Sequence, residues 1–106
     1  MCAYQLAGLA ALGDATRRSI FEHLAEGPSS VGELAAKLPV SRPAVSQHLK
    51  VLKEADLVTD RAVGNRRIYS VNPDGVGALR AYLDRFWKQA LLSFKEAVEQ
   101  KAKEMQ

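Results

Sequence analysis

Apolar positions recur at helical spacing along most of the chain, and the breaks fall at Gly13, Gly27-Pro28, Pro39 and Asn72-Pro73. Leu6, Leu9, Ala10 and Leu12 predict a short helix over 3–12, ended by Gly13. Asp14 is placed to cap a second helix whose Ile20, Phe21, Leu24 and Ala25 recur at helical intervals until Gly27-Pro28 stops it. After a pause at Ser29-Ser30, the positions Val31, Leu34, Ala35 and Leu38 predict a short amphipathic helix over 30–38 that meets Pro39. Ser41 can cap the next helix, over 42–54, because Pro43 is tolerated in a first turn whose N–H groups have no helical partner. At about 100° per residue, Val45, Leu49 and Leu52 share one face of that helix. Pro43, Ser46, Gln47 and Lys50 point the other way.

Beyond Ala55-Asp56 the texture changes. Leu57-Val58-Thr59 and Arg67-Ile68-Tyr69-Ser70-Val71 are rich in β-formers and flank Gly64-Asn65, which predicts a hairpin with its tip over 62–66. Asn72 and Pro73 then restart helix as cap and first residue, and the helix runs to about 103. Leu79, Leu83, Phe86, Trp87, Ala90, Leu91, Phe94 and Val98 form one apolar stripe along it. With 106 residues there is room for a single core, so a stripe of this length points to self-association. The expected fold is mainly α with a small β-hairpin, in one domain over 1–106. Two short helices joined by a tight turn and followed by a hairpin make a winged helix-turn-helix. Its core spans 14–71 with the wing at about 57–71, flanked by the helices of 1–12 and 73–103.

Charge sharpens this picture. The chain carries 15 Lys and Arg against 12 Asp and Glu, a net charge of +3. Residues 41–67 hold Arg42, Lys50, Lys53, Arg61, Arg66 and Arg67 against Glu54, Asp56 and Asp60, so the whole excess lies in the second helix of the motif and its wing. A helix of this kind fits the major groove, where each base pair presents its own donor and acceptor pattern, while nearby cations hold phosphates. The lone Cys2 excludes an intrachain disulfide, and a reducing, cytoplasmic setting is expected. The apolar 1–12 stretch lacks a basic start and is interrupted by Asp14, Arg17 and Arg18, so no membrane partner is expected. No phosphate-cradling glycine loop, Cys–His pair or Ser–His–Asp signature argues for an enzyme, and no cofactor is expected.

Four strings, Leu12-Gly-Asp-Ala-Thr-Arg17, Val31-Gly-Glu-Leu-Ala35, Val45-Ser-Gln-His-Leu-Lys-Val-Leu52 and Gly64-Asn-Arg-Arg-Ile-Tyr69, together resemble the ArsR/SmtB regulators over about residues 6–72. The resemblance implies a homodimeric repressor on double-stranded DNA, dimerised through its N- and C-terminal helices. Leu6, Leu9, Leu79, Leu83, Phe86, Trp87, Ala90, Leu91 and Phe94 are then the expected interface. It also implies that Ser41, Arg42, Ser46, Gln47 and Lys50 face DNA, with Gln47 the base reader because its amide can pair bidentately with adenine. Lys53 is expected on phosphates, and Arg61, Asn65, Arg66 and Arg67 of the wing on the backbone or minor groove. Metal sensing is disfavoured: the stretch before the turn, Ser29 to Leu34, has no thiol, and the last helix has neither His nor Cys. His23, His48 and Cys2 are scattered, and the two histidines are read as packing or phosphate-contacting residues. Cys2 across a dimer is a redox candidate, with an incidental terminal thiol as the plainer reading. The effector is not legible. A protein-interaction module on the same winged-helix scaffold is the alternative function.

Overall fold

The computed structural model describes residues 3–105, so Cys2 lies outside the described residues. Helices occupy Ala3–Leu12 (α1), Ala15–Glu26 (α2), Val31–Lys37 (α3), Arg42–Glu54 (α4) and Pro73–Glu104 (α5). Strands occupy Ser29–Ser30 (β1), Val58–Val63 (β2) and Arg66–Val71 (β3). Side-chain oxygens fix where the helices begin. Asp14 accepts from the Arg17 N–H at 2.9 Å, Ser41 from the Ala44 N–H at 3.3 Å and Asn72 from the Asp74 N–H at 3.2 Å. At α3 the cap is reciprocal: the Ser30 hydroxyl accepts from the Glu33 N–H while the Glu33 carboxylate accepts from the Ser30 N–H. Each cap satisfies N–H groups that a helix start leaves without a partner.

Ile20 and Leu24 of α2, Leu34 of α3, Val45, Leu49 and Leu52 of α4, and Leu57 and Val58 at the start of the wing close into one core with almost no exposed surface. Each such side chain contributes about 1.5–3 kcal/mol by leaving water. The hairpin was expected, but the sheet has three strands. β1 pairs antiparallel with β3, Ser29 opposite Tyr69 and Ser30 opposite Ile68, in the order β1-β3-β2. Two serines carry no periodicity, so this strand exists only through its partner. The turn of the hairpin is Gly64-Asn65, closed by Val63 opposite Arg66, with Gly64 at φ +63° in the region that side chains avoid.

One junction joins the wing to the last helix. Asp56 takes φ +64°, and the Asn72 amide donates to its backbone oxygen at 3.0 Å and to its carboxylate at 3.2 Å. The first turn of α5 lies so close that a Cβ on Gly75 would sit 1.6 Å from the Asp56 carbonyl oxygen. Gly75, which from the sequence is only a weak point in a helix, is therefore required there.

Leu79, expected at the interface, is 8% exposed and packs with Leu57 around Gly8 of α1 in the protomer's own core, while its outer edge lines an open apolar groove with Leu83 and Trp87. The reason is that α1 crosses the start of α5, covering that stretch of the stripe. From Arg85 to Glu104 every residue of α5 is exposed. The Cα radius of gyration is 19.1 Å, against about 13 Å for a compact domain of this size. The 32-residue α5 is the cause, since it extends about 48 Å at 1.5 Å per residue.

Gly75→Ala is expected to destabilise the fold by about 3 kcal/mol, the upper end of the usual cost of overpacking, because backbone rather than a flexible side chain must move. Gly77→Ala meets nothing within 4 Å and should be neutral or stabilising by up to about 1 kcal/mol. Urea unfolding followed by circular dichroism distinguishes the two.

Candidate nucleic-acid interface

Burial of Val45, Leu49 and Leu52 rotates α4 so that Arg42, Ser46, Gln47 and Lys50 are exposed together on its outer face. Ser41 and Pro43 sit exposed at its start. The turn from α3 is short and held by backbone, with the Val40 N–H donating to the Leu38 carbonyl at 2.8 Å. Arg42 lies across the first turn of α3, where a Cβ on Gly32 would come within 3.2 Å of its guanidinium. Between that turn, Arg42 and the wing is an open concavity of about 470 Å³, lined by Ser30, Val31, Gly32, Glu33, Arg42, Asn65, Arg66 and Arg67. Arg42 and Arg66 border the single carboxylate there, Glu33, a surface suited to phosphate oxygens, while the Arg67 guanidinium is turned to Asp60.

The cations differ in how they are held. Arg66 donates to Glu33 at 2.7 Å and to the Ser30 hydroxyl at 3.1 Å, which ties the wing to the cap of α3. The hydrogen bonds from the Ser30 N–H and hydroxyl, with the nearby Arg66 charge, hold the Glu33 carboxyl below its ordinary value of 4.5. Lys53 and Arg67 both close on Asp60, at 2.8 Å and 3.0 Å, and the Asp60 side chain is only 8% exposed. Hydrogen bonds from Lys53 first and then Arg67 keep its carboxyl below 3.8, against the opposing effect of burial. Arg42, Lys50, Arg61 and Asn65 stand exposed, and no ion pair to a carboxylate is formed by the first three among the described residues.

The histidines have local partners. His48 is half-buried on α4 with Nδ1 3.2 Å from Nη1 of Arg17, whose Nε donates to the Ala11 carbonyl at 2.7 Å. A guanidinium can only donate, so His48 Nδ1 accepts and its ring hydrogen sits on Nε2. Arg17 thereby joins the ends of α1 and α2 to α4. His23 Nδ1 lies 2.9 Å from the Ser19 carbonyl and must donate to it. Among the described residues, no group of three or more His, Cys, Asp or Glu side chains could hold a metal ion, and no helix is long and apolar enough to cross a membrane.

Away from this face, Leu83, Phe86, Trp87, Leu91, Phe94 and Val98 are exposed along α5, as are Leu6 and Leu9 on α1. Ala90, also expected there, is exposed on the same helix. Trp87 is 62% exposed and Phe94 69%, an unusual cost in water for the largest apolar side chains.

A helix-turn-helix domain family matches residues 12–61. An HTH-type transcriptional regulator of Mycobacterium tuberculosis is 61% identical over 84% of this chain and 83% of its own length. A transcriptional repressor of Bacillus subtilis is 37% identical over 58% of this chain and 69% of its own. Among solved structures, an ArsR-like transcriptional regulator from Rhodococcus superposes with a TM-score of 0.76 at 32% identity, over 89% of this chain and 92% of that one. The chain belongs to the ArsR/SmtB family of transcription regulators. As an ArsR/SmtB regulator it is a DNA-binding winged-helix protein.

Reasoning from sequence missed the acidic partners of the basic residues. Ser30-Val-Gly-Glu33 is a capping-box string and could have been read as one. The meeting of Lys53, Asp60 and Arg67 has no local signature, because it depends on how α4 abuts the hairpin.

A pH series tests the Asp60 cluster. Its carboxyl is lowered in the folded state, so the stabilisation is fully present above the ordinary carboxylate value of 3.8 and is lost as pH falls through the lower folded value. Asp60→Asn should therefore reduce the melting temperature at neutral pH and flatten its fall below about pH 4. Parallel melting curves that differ by the same amount at every pH would contradict this.

Proposed function

We propose that this regulator is a cytoplasmic homodimer that represses transcription by occupying an inverted-repeat operator, with the two α4 helices in successive major grooves. The observation that carries the reading is the outer face of α4. Arg42, Ser46, Gln47 and Lys50 are exposed on a helix whose opposite face is fully buried, beside a cationic concavity and the wing. Gln47 offers an amide that matches adenine N6 and N7, and Arg42 can serve guanine or a phosphate. Lys50, Arg61, Asn65 and Arg66 supply backbone contacts around them. Uncovered aromatic side chains on α5, together with Leu6 and Leu9 of α1, supply the reason for two copies. Dimerisation sets the half-sites about 34–36 Å apart, and bound protein excludes polymerase from the promoter.

Selection of duplexes from a random library should enrich an inverted repeat with half-site centres about 10 base pairs apart. Recovery of no preferred duplex would overturn the proposal. On the selected duplex, Gln47→Ala should relax preference at one or two base positions and cost about 1–3 kcal/mol. Lys50→Ala should weaken all duplexes alike and reduce the slope of log affinity against log salt by about one. Uniform weakening by Gln47→Ala would make it a positioning contact instead.

The dimer has its own test. Phe86→Asp with Trp87→Asp should give a folded monomer in sedimentation, with helicity retained and tight binding to paired half-sites lost. A dimer that survives both changes would place the interface elsewhere.

A further inference from the structure

Asp60 sits on β2 at the point where the recognition helix meets the wing. Each of its carboxylate oxygens serves one cation: Oδ1 the Lys53 ammonium at 2.8 Å, Oδ2 the Arg67 guanidinium at 3.0 Å. Lys53 comes from the last turn of α4 and Arg67 from β3. Asp60 lies opposite Tyr69 in the ladder, so Arg67 is its diagonal neighbour on the same face of the sheet. One carboxylate thus ties the end of the recognition helix to both strands of the wing.

The asymmetry of exposure decides what these cations can do. Their side chains are 54% and 55% exposed, but that of Asp60 is 8% exposed. Asp60 already offers each cation a carboxylate oxygen at hydrogen-bond distance, so a phosphate would have to compete with a contact formed within the protein before binding. Lys53 is also about 18 Å along the helix from Ser41, since each residue rises 1.5 Å, whereas base reading belongs to the first turns of a recognition helix.

We propose that Asp60 is a positioning residue for DNA recognition: through Lys53 and Arg67 it fixes the angle between α4 and the wing, and neither cation is a phosphate contact. This rests on the DNA-binding reading above and replaces the backbone contacts that the sequence suggests for Lys53 and Arg67. Charge alone and positioning give opposite signs. If Asp60 only masked two cations, neutralising it would tighten binding to every duplex. If it sets an angle, neutralising it loosens the selected duplex while others gain.

The test uses the full chain, the duplex that the wild-type protein enriches from a random library, and a scrambled duplex of the same composition. Fluorescence anisotropy is followed across a salt series, with melting curves to establish that each variant is folded. Lys53→Met keeps the Asp60–Arg67 pair and hence the wing. It should weaken the selected duplex on the order of tenfold, the scale of one imperfect base contact, with the scrambled duplex and the salt slope unchanged. Asp60→Asn should weaken the selected duplex similarly and tighten the scrambled one. Two results would overturn the proposal: Lys53→Met weakening both duplexes alike with a salt slope smaller by about one, or Asp60→Asn leaving the ratio between duplexes unchanged. A wild-type protein that does not distinguish the duplexes would overturn the DNA-binding reading along with it.

Discussion

The burial of one face of α4 is the constraint on which the rest of the molecule depends. Val45, Leu49 and Leu52 have no exposed surface, and they meet Ile20, Leu24, Leu34, Leu57 and Val58 in a single core. Because side chains on a helix advance by about 100° per residue, the orientation of Ser46, Gln47 and Lys50 is not independent of that burial. The core aims the polar face. A slip of one residue in α4 that brought His48 into the place of Leu49 would turn Leu49 out to the exposed position of Lys50, so stability and the orientation of the polar face are the same requirement.

A second constraint carries that orientation to the long helix. Asp56 in a left-handed conformation, the Asn72 amide and the bare Cα of Gly75 form a contact too close to accommodate a side chain. It fixes the direction in which α5 leaves the core. Arg17 makes a comparable link on the other side, holding Ala11 of α1 and His48 of α4 at once. Helix α4 is therefore joined through short, directional contacts to both helices that carry exposed apolar side chains. In a dimer built on those helices, a change in their packing would reach α4 through backbone and guanidinium contacts rather than through a flexible connection.

The helices and their starts were legible because they rest on local chemistry. Asp14, Ser41 and Asn72 each cap the helix they precede, and Gly64-Asn65 makes the turn that its residues require. The buried face of α4 follows directly from periodicity. What escaped notice depends on approach between distant segments. β1 is a strand only because β3 lies beside it, and Leu79 is covered only because α1 crosses α5. The exposed residues of α4 were identifiable for the same reason as the core, being its complement. The commitments of Lys53, Arg66 and Arg67 to Asp60 and Glu33 were not, since a run of basic residues reads the same whether its charges are free or paired.

The proposed DNA complex depends on one direction, with the outer face of α4 entering the major groove. An iron chelate tethered to a cysteine at position 46, in a Cys2→Ser background, reports this by cleaving the backbone nearest to it. The selected duplex should be cut in two symmetrical clusters bordering the major groove of each half-site, about 10 base pairs apart. Cleavage spread evenly along the duplex, or clustered only where the same chelate at position 22 of α2 cuts, would contradict it.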